Sequence, residues 1–245
     1  MDMTPEEIDR IFEEGAELLE KGEFEEALER FKFAASRNCA DAAALLGNLY
    51  LQGVAADRDP KTAAGYFRSA AEQGDVPSMT ALGLLYLEGI GVEQSVKKGV
   101  KWMSQAAENG DADAVAHMGF LYYSGTGVEQ SLEKAAEYSL KAADLGSPDA
   151  MYNLGTMYRD GEYFGQSYEK AAEWLRKAAD AGDSDAMTEL GDLYAEGLGV
   201  EKDADAAHEF YLRAYAADGN GEARKRLGDG ADEELEKILS QEPED

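Results

Sequence analysis

Apolar residues recur every three or four positions in short stretches of this chain, and glycine-rich segments separate the stretches. Residues three and four apart lie on one face of an α-helix, so each stretch predicts a helix with one buried stripe. Between residues 113 and 146, two such stretches flank a glycine-rich turn. The pattern therefore predicts pairs of short amphipathic helices, called helix A and helix B of each unit below.

The first predicted pair covers residues 4–38. Thr4, Pro5 and Glu7 combine an N-cap, a proline at the first helical position and a capping-box acid, which marks the start of a helix. A turn at Gly22 precedes helix B, whose apolar residues run from Phe24.

Five longer pairs follow at a step of 36 residues. The glycine of helix A recurs at Gly47, Gly83, Gly119, Gly155 and Gly191. A tyrosine follows it at Tyr50, Tyr86, Tyr122, Tyr158 and Tyr194. Glycine within an exposed helix costs about 1 kcal/mol relative to alanine, so the recurring glycine predicts close approach of a neighbouring helix. The tyrosines and the helix-B aromatics are expected to fill the wider gaps.

The ends of each helix B carry capping residues. The predicted N-caps are Asp59, Ser95, Ser131, Ser167 and Asp203. The predicted C-terminal caps are Asn38, Gly74, Gly110, Gly146, Gly182 and Gly219. In one unit the segment from Gly161 to Gly165 replaces the usual Gly-x-Gly-Val turn, so the loop of that unit is expected to differ in shape.

A stack of similar units has one continuous core, so the pattern predicts a single repeat domain over residues 1–245. The predicted repeat units after residue 38 are 39–74, 75–110, 111–146, 147–182 and 183–219. Residues 220–245 are expected to form C-terminal capping helices, with a frayed tail at residues 241–245.

At these residues the chain resembles the Sel-one-like repeat (SLR) family, which is related to the tetratricopeptide repeat. The resemblance rests on A-x-x-x-L-G-x-x-Y-x-x-G in helix A and paired alanines in helix B, repeated over residues 39–219. The first unit resembles a tetratricopeptide repeat itself. The resemblance implies an all-α fold, a right-handed α-solenoid of stacked antiparallel helix pairs, and an adaptor or scaffold role without catalysis. Some secreted members carry disulfides within each repeat, which a chain with Cys39 alone does not share.

The formal net charge of −28 changes the expected partners. It argues against binding to nucleic acid or to an anionic membrane, because both require clustered Lys and Arg. It is compatible with a basic protein partner, although it could equally serve solubility. No apolar run approaches the roughly 18 residues of a membrane span. The single cysteine and the acidic N-terminus, which lacks a signal-peptide pattern, favour a cytoplasmic location.

No set of catalytic residues can be assembled from the sequence. His117 and His208 lie far apart, and no His or Cys pair has metal-ligand spacing. The Gly-x-Gly segments follow helices and lack a lysine placed for phosphate, so they are interpreted as turns. We therefore expect no enzyme activity, no cofactor and no metal.

The positions that vary between units offer the candidate binding site. Residues near the recurring glycine of helix A share one face, which lines the concave groove in tetratricopeptide repeats. The candidate partner-binding residues are Asn48, Leu84, Leu87, Glu88, Phe120, Tyr123, Tyr152, Arg159, Asp160, Asp192 and Glu196. The alternative interpretation is that these side chains pack against the neighbouring helix A as core.

The function predicted from these features is a non-catalytic scaffold whose groove binds a peptide or protein segment with apolar and basic residues. One alternative is a targeting or regulatory module of a signalling or host-interaction effector system, with activity carried by a partner. A second alternative is an enzyme with an unrecognised site. The sequence predicts neither the identity of the partner nor the oligomeric state.

Overall fold

A computed structural model describes residues 3–240, which form fourteen α-helices and no β-strand. The predicted all-α class is confirmed. The tail predicted at residues 241–245 lies outside the described residues. The helices are α1 (Pro5–Glu20), α2 (Phe24–Ala35), α3 (Ala40–Gln52), α4 (Pro60–Glu72), α5 (Val76–Glu88), α6 (Val96–Glu108), α7 (Ala112–Ser124), α8 (Leu132–Asp144), α9 (Pro148–Asp160), α10 (Tyr168–Asp180), α11 (Ser184–Glu196), α12 (Ala204–Asp218), α13 (Gly221–Leu227) and α14 (Ala231–Leu239).

The helices fall into two compact parts, one within residues 1–130 and one within residues 131–245. These parts are called unit 1 and unit 2 below, and each contains several of the repeat units. In unit 1 the pairs α1/α2, α3/α4 and α5/α6 each pack together, and α2, α4 and α6 also pack on the next helix A. In unit 2 the pairs α9/α10 and α11/α12 pack in the same way, with α8 against α9 and α13 against α12. Short turns join the partners of each pair, so successive helices run antiparallel.

The predicted capping residues begin the helices. The Thr4 hydroxyl accepts a hydrogen bond from the Glu7 amide, whose carboxylate accepts one from the Thr4 amide, which completes the capping box. Each predicted N-cap of a helix B accepts a backbone N–H of the first turn through its side chain. These bonds satisfy donors that a helix leaves without an internal partner, so the start of each helix is encoded locally.

The turns depend on left-handed backbone at fixed positions. Asn38, the predicted equivalent of the C-terminal glycines, has a φ of 63°. Within the A-to-B turns, Gly91, Gly127 and Gly199 have φ values between 69° and 73°, and Tyr163 at the corresponding position has a φ of 60°. The unusual turn therefore keeps this φ, although the Phe164 amide donates to the Glu162 carbonyl at 2.6 Å in a local three-residue turn.

The recurring glycine of helix A lies under a side chain of helix B in the same unit. A methyl group added at Gly47 would lie 2.7 Å from the Phe67 ring, and one at Gly155 would lie 2.7 Å from Cγ of Leu175. Both covering side chains are buried. The predicted close approach is confirmed, but the covering residue is the one after the predicted aromatic of helix B. Four of these aromatics, Tyr66, Trp102, Tyr138 and Trp174, are only half-buried, whereas Phe210 is buried.

Paired alanines and the residue before each glycine build the rest of the core. Both alanines of the helix-B pairs are at most 5% exposed, and Leu46, Leu82, Met118, Leu154 and Leu190 are at most 1% exposed. Small residues on one helix let the next helix approach closely, so the large side chains of helix A fill the space between helices. This packing leaves the positions just after the glycine on the surface of helix A.

A side chain from the turn fixes the end of helix A in four units. Gln94, Gln130 and Gln166 donate through their side-chain amides to the carbonyls of Leu87, Tyr123 and Arg159 at 2.7–2.8 Å. Arg58 donates in the same way to the Leu51 carbonyl at 3.0 Å. Each bond satisfies one of the last carbonyls of a helix. Three of these carbonyls belong to the candidate site residues Leu87, Tyr123 and Arg159, so the bonds hold the backbone at those residues.

Candidate functional site

The candidate residues of unit 1 lie on α3, α5 and α7. Phe120 and Tyr123 are three residues apart on α7, so they share one face of the helix, and they are 60% and 42% exposed. Leu84 and Leu87 on α5 are half-buried, whereas Glu88 and Asn48 are exposed. The name α7 face is used below for Phe120 and Tyr123 together.

One candidate residue of α5, Leu87, packs against the partner helix of its own pair. The Leu87 side chain lies against Gly99 of α6, where an added methyl group would lie 2.6 Å from Leu87 Cγ. The Thr80 hydroxyl donates to Oδ1 of Asp111 at 3.0 Å, which joins α5 to the N-cap of α7. Leu87 therefore has a structural role on one side. On the α7 face, by contrast, more than half of Phe120 is exposed.

The candidate residues of unit 2 surround a cavity of about 280 Å³ between α9 and α11. Its lining includes four of the predicted residues: Arg159, Asp160, Asp192 and Glu196. Glu189, Gln166, Tyr168, Leu193 and Leu198 complete the lining. The structure thus places most of the predicted polar residues of unit 2 around one opening.

Arg159 joins two of the acids at this cavity. Its Nε and Nη2 donate to the two carboxylate oxygens of Asp160 at 2.7 and 2.9 Å, and its Nη1 forms an ion pair with Glu189 at 2.5 Å. The hydrogen bonds from Arg159 lower the pKa of Asp160 below its usual value. Tyr152 donates its hydroxyl proton to Oε1 of Glu189 at 2.8 Å, and burial raises the pKa of that hydroxyl.

Asp192 is held by residues from two other helices. Tyr211 of α12 donates to its Oδ1 at 2.8 Å, and Arg226 of α13 donates to both carboxylate oxygens at 3.1 and 3.0 Å. Two of the acids that the sequence suggested for a basic partner, Asp160 and Asp192, therefore already have an arginine partner. Glu196 remains exposed at the rim of the cavity.

Sequence reasoning missed Glu189, although it connects Tyr152 to Arg159. A signal was available, because Glu189, Asp192 and Glu196 follow an i, i+3, i+7 spacing and therefore lie along one face of α11. It also missed the role of Arg226, since nothing in the sequence pairs a residue of the terminal helices with α11. The structure thus adds one acid and one base to the predicted set.

Within residues 3–240, no group of three or more His, Cys, Asp or Glu side chains is placed to hold a metal ion. In the same part of the chain, no helix combines the length and the apolar character that crossing a membrane would require.

Stacked helix pairs with a strict sequence period define a repeat protein of the α-solenoid class. The family model described as Sel1 repeat matches residues 40–75, 76–111, 112–147, 148–183 and 184–219. The chain belongs to the Sel1 repeat family, as the sequence resemblance indicated. Proteins of this family generally mediate protein–protein interactions. No curated protein matches the sequence.

Solved structures of repeat proteins resemble the whole chain. A protective antigen of uropathogenic Escherichia coli, described as displaying an SLR fold, is 30% identical over 97% of this chain, with a TM-score of 0.84. The match covers 50% of that antigen, so this chain spans half its length. A Sel1 repeat protein from Oxalobacter formigenes is 29% identical, with a TM-score of 0.83, and the match covers 95% of this chain and 100% of the relative. An immunity protein from Pseudomonas aeruginosa, 19% identical over 99% of this chain and 89% of its own, shares the fold with a TM-score of 0.54.

Proposed function

We propose that this protein is a non-catalytic scaffold that binds a protein segment on the exposed surface of its A helices. The segment would present apolar anchor residues together with Lys or Arg. The observation that carries this proposal is the α7 face, where two large aromatic side chains on one helix face are 60% and 42% exposed. Aromatic residues in such a position commonly anchor protein interfaces.

The aromatic pair is specific to one repeat, which supports a binding role over a packing role. The positions of Phe120 and Tyr123 are occupied by Asn48 and Leu51 in one unit and by Thr156 and Arg159 in another. The residues that build the core, in contrast, keep their type from unit to unit. Exposed aromatic residues at a variable position are therefore explained better by a partner than by the fold.

Charge favours a basic segment over an acidic one. The net charge of −28 attracts cationic partners at long range and raises their rate of association. Glu88 is exposed on the candidate surface of unit 1, and Glu196 is exposed at the cavity of unit 2. Because exposed charges are screened by salt, the affinity for a basic segment should fall as ionic strength rises.

Selection of peptides from a random displayed library on the immobilised full chain tests this proposal. The expected consensus combines aromatic or aliphatic residues with Lys or Arg, and its binding weakens with added salt. An acidic consensus would contradict the charge argument. Failure to enrich any consensus on the wild type beyond that on a Phe120→Asp plus Tyr123→Asp variant would contradict the α7 face as the binding surface.

The alternative roles make different predictions. A targeting or regulatory module of an effector system would bind one partner whose activity changes on binding, which an assay of the captured partner would detect. An enzyme would convert a small substrate as a purified chain. The cytoplasmic location suggested by the single Cys39 also stays a prediction.

A further inference from the structure

We propose that a cavity between α2 and α4, centred on Gly65 and Lys32, binds an acidic side chain of a partner protein. This cavity has a volume of about 420 Å³ and is lined by Lys32, Ala35, Ser36, Thr62, Gly65, Tyr66 and Ser69. The name Gly65 notch is used for it below. It lies on B helices of unit 1, so it is separate from the surface of the A helices proposed above.

Gly65 is a glycine that the fold itself does not require. It lies in the middle of α4, where glycine destabilises a helix relative to alanine. A methyl group added at Gly65 would meet no described atom within 4 Å, whereas one added at Gly47 would lie 2.7 Å from the Phe67 ring. Packing therefore explains Gly47 and leaves Gly65 unexplained.

The other units fill this position with long charged side chains. At steps of 36 residues from Gly65 the chain has Glu29, Lys101, Glu137, Glu173 and Glu209. The position of Ser36 is acidic in four of the five later units, at Glu72, Glu108, Asp144 and Asp180, and is Ala216 in the last. The Gly65 notch thus combines a position that lacks a long side chain with a position that lacks an acid.

Lys32 supplies the positive charge of the notch. No carboxylate among the described residues lies within 4 Å of its ammonium group, and Glu29 on the preceding turn of α2 acts on it only at longer range. The ammonium lies 5.7 Å from the centre of the Tyr50 ring, which stacks on the Tyr66 ring at 5.9 Å. The hydrogen bond with Tyr50 raises the pKa of Lys32, so this lysine stays charged.

Asp59, which begins α4 next to the notch, already binds the helix start. Oδ1 of Asp59 accepts the amides of Lys61 and Thr62 at 3.1 Å, and its Oδ2 accepts the Thr62 hydroxyl at 2.6 Å. An N-cap carboxylate of this kind is largely balanced by the N-terminal N–H groups of the helix. Its charge therefore does little to neutralise Lys32.

The surrounding sequence is positive in an otherwise acidic chain. Residues 32–68 contain five basic residues, Lys32, Arg37, Arg58, Lys61 and Arg68, and three acidic ones, Asp41, Asp57 and Asp59. The chain as a whole has 23 basic and 51 acidic residues. A carboxylate therefore meets attraction at the notch and repulsion over most of the remaining surface, which would direct an acidic segment to this place.

An acidic side chain matches the notch better than an apolar one. A lysine ammonium binds a carboxylate through a charge-assisted hydrogen bond. The hydroxyls of Ser69 and Tyr66 can add hydrogen bonds, because a hydroxyl can both donate and accept. Without a side chain at position 65, the partner's carboxylate can approach the backbone of α4 closely.

Titration of the ¹⁵N-labelled full chain with acetyl-tetraglutamate amide tests the proposal by NMR. The expected result is a set of saturable chemical-shift changes centred on Lys32, Ser36, Gly65 and Ser69. Gly65→Glu should weaken binding more than tenfold while raising the melting temperature by about 2–4 °C, because glutamate favours a helix more than glycine does. Gly65→Ala should also raise the melting temperature but keep the affinity within twofold, since a methyl group leaves the notch open.

Two further variants separate the notch from helix propensity and from general charge. Lys32→Gln should remove binding while the chain stays folded. Glu173→Gly opens the same position in unit 2 beside Asp144 and Leu140, so it should lower the melting temperature without creating a new binding site. Unchanged affinity in Gly65→Glu, or no shift at these residues, would overturn the proposal. If inorganic phosphate produced these chemical-shift changes and the peptide did not, the ligand would be a phosphate group. That outcome would overturn the assignment of an acidic side chain.

Discussion

At the scale of the residue, Gly47 and Gly65 both lower the helix propensity of the segment in which they lie, but only Gly47 is covered by another side chain. Gly47 is covered by the buried ring of Phe67, and Gly65 faces open space. A glycine in a helix costs about 1 kcal/mol relative to alanine, so only the covered glycine stabilises the fold through packing. The same residue type therefore marks close packing at one position and an open cavity at the other.

Alanine at these two positions should shift stability in opposite directions. Gly47→Ala should lower the free energy of unfolding by about 1–2 kcal/mol, because overpacking against the Phe67 ring outweighs the gain in helix propensity. Gly65→Ala should raise the free energy of unfolding by up to about 1 kcal/mol. Urea denaturation of both variants measures this difference. A gain in stability for Gly47→Ala would show that the ring does not require the glycine.

A second pair of glycines separates backbone strain from steric overlap. Gly199 and Gly219 both have positive φ values, 69° and 75°. A methyl group at Gly199 would lie 2.1 Å from the carbonyl carbon of Tyr168, whereas at Gly219 it would meet no described atom within 4 Å. Gly219→Ala should cost about 1–2 kcal/mol from left-handed strain alone. Gly199→Ala should cost clearly more, and equal losses in urea denaturation would contradict this account.

The sequence predicted where these residues lie along the chain, but it did not predict which side chains contact them. The 36-residue step located the glycines, and the small polar residues before each helix located the caps. It did not identify Phe67 or Leu175 as the covering side chains, because that depends on how two helices rotate against each other. It also could not show that Tyr163 keeps the left-handed φ of the glycines it replaces.

At the scale of the element, the short helix α13 is joined to α11 by polar contacts. Arg226 donates to both carboxylate oxygens of Asp192 on α11 and forms an ion pair with Glu222. Asn220 donates to Oδ1 of Asp185 at 2.9 Å. These contacts hold α13 against the last helix pair of the repeat pattern, where Ala223 of α13 is also buried.

Removing the arginine should loosen this attachment. We expect Arg226→Ala to lower the free energy of unfolding by about 1 kcal/mol, since a bidentate pair that is partly exposed is stronger than an ordinary surface pair. Lys225→Ala breaks only the exposed pair with Glu222 and should change stability by less than about 0.5 kcal/mol. Chemical denaturation compares the two, and equal effects would show that the Asp192 contact does not hold α13.

The contact between α13 and α14 should depend on pH. Arg224 donates to both oxygens of Asp232 and Tyr215 donates to the same carboxylate, which together lower the pKa of Asp232 to about 2. A carboxylate whose pKa is lower in the folded than in the unfolded state stabilises the folded state at pH values above the unfolded pKa of about 3.9. This stabilisation is lost as the pH falls toward 2. NMR titration of α14 should show its amide signals shifting in that range, and Asp232→Asn should remove the transition. A transition near pH 4 would contradict the ion pair.

The elements themselves were predictable, while their side-chain pairing was not. The sequence predicted helices within residues 220–245, and α13 and α14 lie in this segment. The side-chain bonds of Gln94, Gln130 and Gln166 also follow the 36-residue period and were detectable in principle. The partners of Asp192 were not, because Arg226 follows it by 34 residues and belongs to a segment outside the repeat pattern.

At the scale of the whole molecule, charge and exposed aromatic surface determine which kind of partner each surface favours. A net charge of −28 favours a basic segment at the exposed A-helix surface. The Gly65 notch is the local exception, because it has a lysine and lacks the acids that most other units carry at these positions. Two surfaces of opposite preference on one chain would allow it to connect two different partners, as expected of a scaffold.

The most direct test of the central claim measures the affinity of the selected basic peptide for three versions of the full chain by calorimetry. The double variant Phe120→Asp plus Tyr123→Asp should keep the wild-type melting temperature and lose at least tenfold in affinity. The control Leu145→Asp changes a similarly exposed apolar residue of unit 2, 46% exposed, and should bind like the wild type. Unfolding of the double variant would show that the α7 face is core. Unchanged affinity in a folded double variant would show that the partner binds elsewhere.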